Sequence, residues 1–192
     1  MRRALWPLLL ILFLHGCSQL QPREPIASVD PAQVLQLEHW SLEGRIGIRY
    51  AGDSNSAGLS WENRANAYEI SLRGPLGQGG LRIEGDDQSV SLQRSGSDEI
   101  HRAATPEALM RQLLGWHLPL SQAGFWVRGL PDPTLPWQPL PSGQGFTQGG
   151  WQIEYDRYTQ TDALLLPEKI RMTRPDLRIT LVINRWKTDL SS

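Results

Sequence analysis

WSLEGRIGIRY, residues 40–50, alternates with a period of two. Trp40, Leu42, Ile46, Ile48 and Tyr50 fall on one face, and Ser41, Glu43, Arg45 and Arg49 on the other. That period marks a strand with one face buried and one wet. Moving outward, the pattern recurs in Ala57, Leu59, Trp61, then Tyr68, Ile70, Leu72, then Leu81, Ile83, then Val90, Leu92. After a break it returns in Trp151, Ile153, Tyr155, in Ile170, Met172, and in Leu177, Ile179, Leu181, Ile183, running out at Trp186. Strands at this spacing, separated by turn residues, predict an antiparallel sheet.

Helices interrupt the rhythm. Asp30-Pro31 supplies a cap and a first helical residue for a short helix. In the middle, Thr105-Pro106-Glu107 opens a second helix, with Leu109, Met110, Leu113 and Leu114 as its apolar stripe and Gly115 as its stop. A third is expected from about Ser121 to Arg128, ended by Gly129 and Pro131. A sheet of about ten strands that is apolar on one face must curl around that face. The central helices are natural covers for its open side. The concave face then either packs solid or keeps a cavity, and composition alone does not choose. The candidate lining is the inward set Trp40, Ile46, Ile48, Leu59, Trp61, Ile70, Leu72, Leu81 and Ile83, with Trp116 and Trp126 from the helical cover.

The turn at 74–80, GPLGQGG, carries a leucine at its tip. Hairpin tips bend in water and favour Gly, Asn, Asp and Pro. Pro75 stiffens the approach, while Gly74, Gly77, Gly79 and Gly80 offer no side chain against which Leu76 could pack. Leu76 is therefore expected to project.

The 192 residues suit one domain with a real core. Nineteen basic and 20 acidic side chains give a formal net charge of −1 and no electrostatic footprint for nucleic acid. Met1-Arg2-Arg3 followed by an apolar run to Leu14 reads as a signal peptide over 1–16, too short to span a hydrocarbon core of about 30 Å. Leu14-His15-Gly16-Cys17 resembles the lipobox of bacterial lipoproteins, in which the cysteine is lipidated; His15 departs from the usual small residue. Residues 17–29 then form a lipidated Cys17 and a polar tether, and 30–192 the single domain. By the same resemblance, Ser18 directs the protein to the outer membrane, facing the periplasm.

No chemistry accompanies this architecture. His39, His101 and His117 lack metal-ligand spacing, no nucleophile elbow is present, and the glycines at 77, 79 and 80 join strands rather than opening a helix. No cofactor, metal or catalytic residue is expected.

Six pieces in order, LEGRIGIRY, AGLSWE, YEISLRGPLGQGGLRIEG, LLGWHLPLSQAGFWVRGLPDP, TQGGWQIEYDRY and LPEKIRMT…LRITLVINRW, resemble the LolB family of outer-membrane lipoprotein receptors. The resemblance runs from Trp40 to Trp186. It implies a mainly β fold with helices: an unclosed, strongly curved antiparallel β-barrel of 10–11 strands, capped by short helices around an apolar cavity for acyl chains. It also implies lipoprotein cargo, the periplasmic carrier LolA as partner, delivery into the outer membrane by a monomer, and a protruding loop whose apolar residue is Leu76 between Pro75 and Gly77. The alternatives are a lipid-binding outer-membrane lipoprotein without a carrier, a module with a solid core that binds an envelope protein, and an envelope hydrolase.

Overall fold

The computed structural model describes residues 30–75, 79–114 and 118–189. The signal peptide, Cys17, the tether, Leu76, Gly77 and Trp116 lie outside the described residues.

The chain first forms α1 (Pro31–Leu35), capped by the Asp30 carboxylate, which accepts from the Ala32 and Gln33 amides. Six strands follow as a meander: β1 (His39–Tyr50), β2 (Asp53–Arg64), β3 (Ala67–Arg73), β4 (Gly80–Gly85), β5 (Val90–Arg94) and β6 (Ile100–Ala103). Then come α2 (Pro106–Leu114) and α3 (Leu120–Val127), and a second meander of β7 (Trp137–Pro139), β8 (Gly145–Gln148), β9 (Trp151–Thr161), β10 (Leu164–Arg174) and β11 (Leu177–Asp189). Each meander propagates away from a shared seam, because β1 pairs with both β2 and β11. The result is one antiparallel sheet of 11 strands in the order β6-β5-β4-β3-β2-β1-β11-β10-β9-β8-β7.

The sheet is not closed: its edges are the short strands β6 and β7, four and three residues long. These two edges are consecutive in sequence apart from the α2–α3 segment. The chain must therefore carry both helices from one open edge to the other. This topology explains why the helices lie over the concave side. α2 begins as its sequence directs, with the Thr105 hydroxyl accepting from the Ala108 amide at 3.2 Å.

One irregularity matters for the interior. Pairing of β1 with β11 shifts between Glu43 and Gly44, leaving Asn184 as the extra residue of a bulge. Leu177, Ile179, Leu181 and Ile183 face inward; beyond the bulge the parity switches, so Trp186 faces inward too. Gly44 is required at this point, since a Cβ there would collide with the Val182 carbonyl. Trp186 then packs against Trp40 with ring centroids 5.8 Å apart, and its indole N–H donates to the Pro167 carbonyl at 2.8 Å. Trp61 joins Trp40 at 5.4 Å. This tryptophan cluster fills one end of the half-barrel.

Candidate ligand cavity

The other end is not filled. Ile46, Ile48, Leu59 and Trp61 from β1 and β2, with Ile70, Leu72, Leu81 and Ile83 from β3 and β4, surround an apolar cavity of about 190 Å³. Met172, Ile179 and Leu181 complete its sheet wall, and Met110, Leu118, Leu120, Ala123 and Val127 close it from the helical side. Among the described residues no titratable side chain lines it. The residues alternate in strand parity with the wet outer face, which is why the sheet can present an unbroken hydrocarbon surface inward. Leu72 and Leu81 are paired in register immediately before the chain enters 74–79. With Ile48 they are only half-buried, although they lie on the inward face. The cavity thus faces the end of the sheet at which β3 turns into β4.

Trp40 and Trp126, expected in the lining, are placed elsewhere. Trp40 belongs to the packed cluster at the filled end. Trp126 is fully buried outside the lining, on the side of α3 that meets β8 and β9. Its indole N–H donates to Gln148 Oε1 at 2.8 Å, and its carbonyl accepts from the Tyr155 hydroxyl at 2.8 Å. Gln148 uses its remaining groups on the backbone: Oε1 accepts from the Asp132 amide at 2.9 Å, and Nε2 donates to the Asp132 and Leu135 carbonyls at 2.9 and 3.1 Å. A buried amide satisfied at every polar atom fixes the chain after α3 to β8. Met110, Met172, Ile179, Leu181 and Val127 were legible as apolar faces, but nothing local in the sequence assigns them to the empty half.

Arg128 bolts α3 to α1. Its Nη1 donates to the Val34 and Leu37 carbonyls at 3.1 and 3.0 Å, and its Nε to the Gly124 carbonyl at 3.0 Å. The guanidinium also lies over the Phe125 and Trp40 rings, at 5.1 and 5.8 Å. No carboxylate approaches it among the described residues, and desolvation lowers its pKa to about 10, leaving it charged at neutral pH. Carbonyls at the C-terminal end of α1 stand in for a counter-ion. Arg128→Ala takes a donor from three carbonyls, of which Val34 keeps the Leu37 amide, and is expected to cost about 2–3 kcal/mol in thermal denaturation. Hydrogen exchange should show the Val34 and Leu37 amides losing protection while β1 and β11 keep theirs. α2, by contrast, makes no side-chain hydrogen bond to the sheet among the described residues. It is held through buried Leu109 and Met110, by non-directional apolar contact.

Among the described residues no group of three or more His, Cys, Asp or Glu side chains could hold a metal ion, and no helix is long and apolar enough to cross a membrane.

A half-barrel that keeps an apolar cavity beneath two short helices defines a fold for holding a hydrophobic ligand. Solved structures share it: a LolA superfamily protein from Nitrosomonas europaea aligns with a TM-score of 0.53 at 9% identity, over 86% of this chain and 96% of its own. A DUF1329 family protein from Desulfovibrio piger aligns with a TM-score of 0.50 at 9% identity, over 84% and 90%. At such identities the likeness is one of fold. The chain belongs to the LolB family: the family model for outer membrane lipoprotein LolB matches residues 38–186. The outer-membrane lipoprotein LolB of Pseudomonas paraeruginosa is 38% identical over 189 residues, covering 92% of each chain. That of Stutzerimonas stutzeri is 38% identical over 190 residues, covering 93% of this chain and 92% of its own.

Proposed function

We propose that the protein receives lipoproteins from the periplasmic carrier LolA, holds their acyl chains in the cavity, and releases them into the outer membrane. It works as a binding protein and a monomer, tethered through lipidated Cys17. The observation that carries this reading is the cavity beneath α2 and α3, whose lining is apolar throughout the described residues. Exposing a ~16-carbon chain to water costs on the order of 12 kcal/mol at ~0.8 kcal/mol per methylene. Cargo with several such chains needs a hydrocarbon surface throughout its journey. With no nucleotide motif in the sequence, transfer runs downhill, so the cavity must hold acyl chains more tightly than the carrier and less tightly than the bilayer.

The size of the cavity defines what must move. A cavity of about 150 Å³ accommodates a benzene-sized ligand. The 190 Å³ here is therefore too small for a full acyl chain. α3 is bolted through Trp126, Gln148 and Arg128. Among the described residues α2 meets the sheet through apolar side chains, and an incoming chain replaces that contact in kind. α2 is the element that yields on loading.

Because acceptance depends on the cavity and not on the tether, a chain in which Cys17 is replaced and the signal peptide removed should take cargo from loaded carrier at close to the wild-type rate. Transfer is read by separating carrier-bound from receptor-bound lipoprotein. Failure of that chain to accept would make the anchor part of the acceptor site, and recovery of lipid without any exchange with the carrier would favour a lipid-binding lipoprotein that has no carrier partner.

A further inference from the structure

The outer face of the sheet is charged in two separate zones. At one end, Glu62, Glu69 and Glu84 stand in one cross-strand row on β2, β3 and β4. Arg64 and Arg82 offset them, with Arg82 bridging Glu69 and Glu84 at 2.8 and 2.7 Å. At the other end the sign reverses. Arg49 on β1 and Arg178 on β11 are directly opposite in register, both exposed. Directly opposed side chains lie about 5 Å apart at Cβ, and like charges there are destabilising. The next outward row places Gly47 beside Thr180 and Thr180 beside Arg171; the one after it places Arg45 beside Val182 and Val182 beside Lys169, with Arg73 two strands from Arg45 across Gly58.

The pairing of these cations is unequal. Lys169 and Arg171 share Asp156 at 2.9 and 2.8 Å, and Arg171 also meets Glu154 at 3.3 Å. Among the described residues, no carboxylate lies within 4.0 Å of Arg45, Arg49, Arg73 or Arg178. Because Gly47 has no side chain, the surface dips between the rows. The depression, about 250 Å³, has Gly47, Ser54 and Thr180 at its floor and Arg49, Arg178, Arg171 and Lys169 around it. A chain with 19 basic and 20 acidic side chains has thus gathered four unmatched arginines on one face: Arg45 and Arg73 roughly 13 Å, and Arg49 and Arg178 roughly 26 Å, along the strands from its acidic row.

We propose that this basic end of the outer sheet surface binds the phosphate headgroups of anionic phospholipids. Its position selects that occupant. Arg73 is the last residue of β3 before the 74–79 turn, and Ile48, Leu72 and Leu81 beneath it face the cavity. The headgroup surface and the open end of the hydrocarbon surface therefore share one end of the sheet. Binding there points this end at the bilayer and the acidic row away from it, in the orientation that shortens the path from cavity to membrane. The proposal rests on the membrane role argued above, and its test uses no cargo.

The test is amide NMR on the full-length protein in non-ionic detergent, titrated below micelle formation with dihexanoyl phosphatidylglycerol. Dihexanoyl phosphatidylcholine, inorganic phosphate and a decaglutamate peptide serve as the comparison arms. Phosphatidylglycerol should move the Gly47 and Thr180 amides saturably, at least tenfold more tightly than the other three. At about fivefold per cation near an anionic surface, Arg49→Gln with Arg178→Gln should weaken this binding about 25-fold. Removal of a like-charged pair should leave Tm unchanged or raised; if Tm falls, Arg45→Gln with Arg73→Gln serves the same purpose. Equal binding of inorganic phosphate, tighter binding of decaglutamate (a protein-docking surface), or no movement of these amides would each overturn the proposal.

Discussion

Replacing Ala123 with phenylalanine should abolish cargo acceptance and leave the protein folded. Ala123 is fully buried on α3, where it lines the cavity with no side chain beyond Cβ to fill it. A phenyl ring is benzene-sized, and an apolar cavity of about 150 Å³ holds benzene; the 190 Å³ available here can take the ring. Small-to-large changes in a packed core cost about 1–3 kcal/mol because neighbours must move. Here much of the space already exists, so the cost should fall at or below the low end of that range. The ring then occupies the place of the acyl chain and is covalently fixed. Transfer from loaded carrier should drop at least a hundredfold, about 2.7 kcal/mol, with Tm within a few degrees of wild type. Wild-type acceptance by the folded variant would remove the cavity from the pathway.

The second large effect is expected at Leu76. Complete burial of one leucine contributes only ~1.5–3 kcal/mol, too little to hold the protein on a bilayer but enough to favour a brief dip of the tip into the headgroup boundary. We propose that this dip places the cavity mouth where acyl chains leave. Leu76→Glu puts a carboxylate at the tip, and its charge resists entering that boundary. The variant should fold and accept cargo as wild type does, and deliver little or none of it to liposomes. The readout is the fraction of cargo recovered in floated liposomes from purified, loaded variant. Delivery at the wild-type rate would reduce Leu76 to a packing residue.

The two halves of the sheet were unequally legible. β1 to β5 and β9 to β11 show the inward alternation in plain form, because each buries Leu, Ile, Val, Met or aromatic residues on one face. β6, β7 and β8 do not. In β6 the pattern is inverted: Ile100 is 42% exposed on the outer face, while His101 pairs with inward-facing Leu92. β7 is a three-residue edge strand holding Pro139, a residue tolerated where no ladder partner is needed. β8 places Gln148 at a buried position, where an apolar residue would be expected. The amide is there because Trp126, Asp132 and Leu135 supply all its partners, and those lie 13–22 residues away in sequence.

The cavity was half legible for a related reason. Strand parity identifies which residues face inward, yet it does not say which end of the half-barrel is filled. That depends on the seam between β1 and β11, where first and last strands meet, and on the bulge at Asn184 that turns Trp186 toward Trp40. The bulge shows in the sequence only as a break of period between Ile183 and Trp186, and nothing local says that it turns Trp186 toward Trp40, so Trp40 reads from sequence as one more lining residue. Trp126 misleads differently: α3 is apolar on two faces, one toward the cavity through Ala123 and Val127 and one toward β8 and β9. Arg128 carries no local signal either, because its partners Val34 and Leu37 are more than 90 residues away and offer only backbone carbonyls.

Photo-crosslinking tests the central claim most directly. Cargo lipoprotein bearing a diazirine near the end of one acyl chain is passed from the carrier to the full-length protein, irradiated, and the adducts mapped by peptide mass spectrometry. If acyl chains lie in the cavity, adducts will concentrate on Leu59, Ile70, Leu81, Ile83 and Met110, and will disappear with Ala123→Phe. Adducts confined to the outer sheet face, with the cavity residues unlabelled, would contradict it.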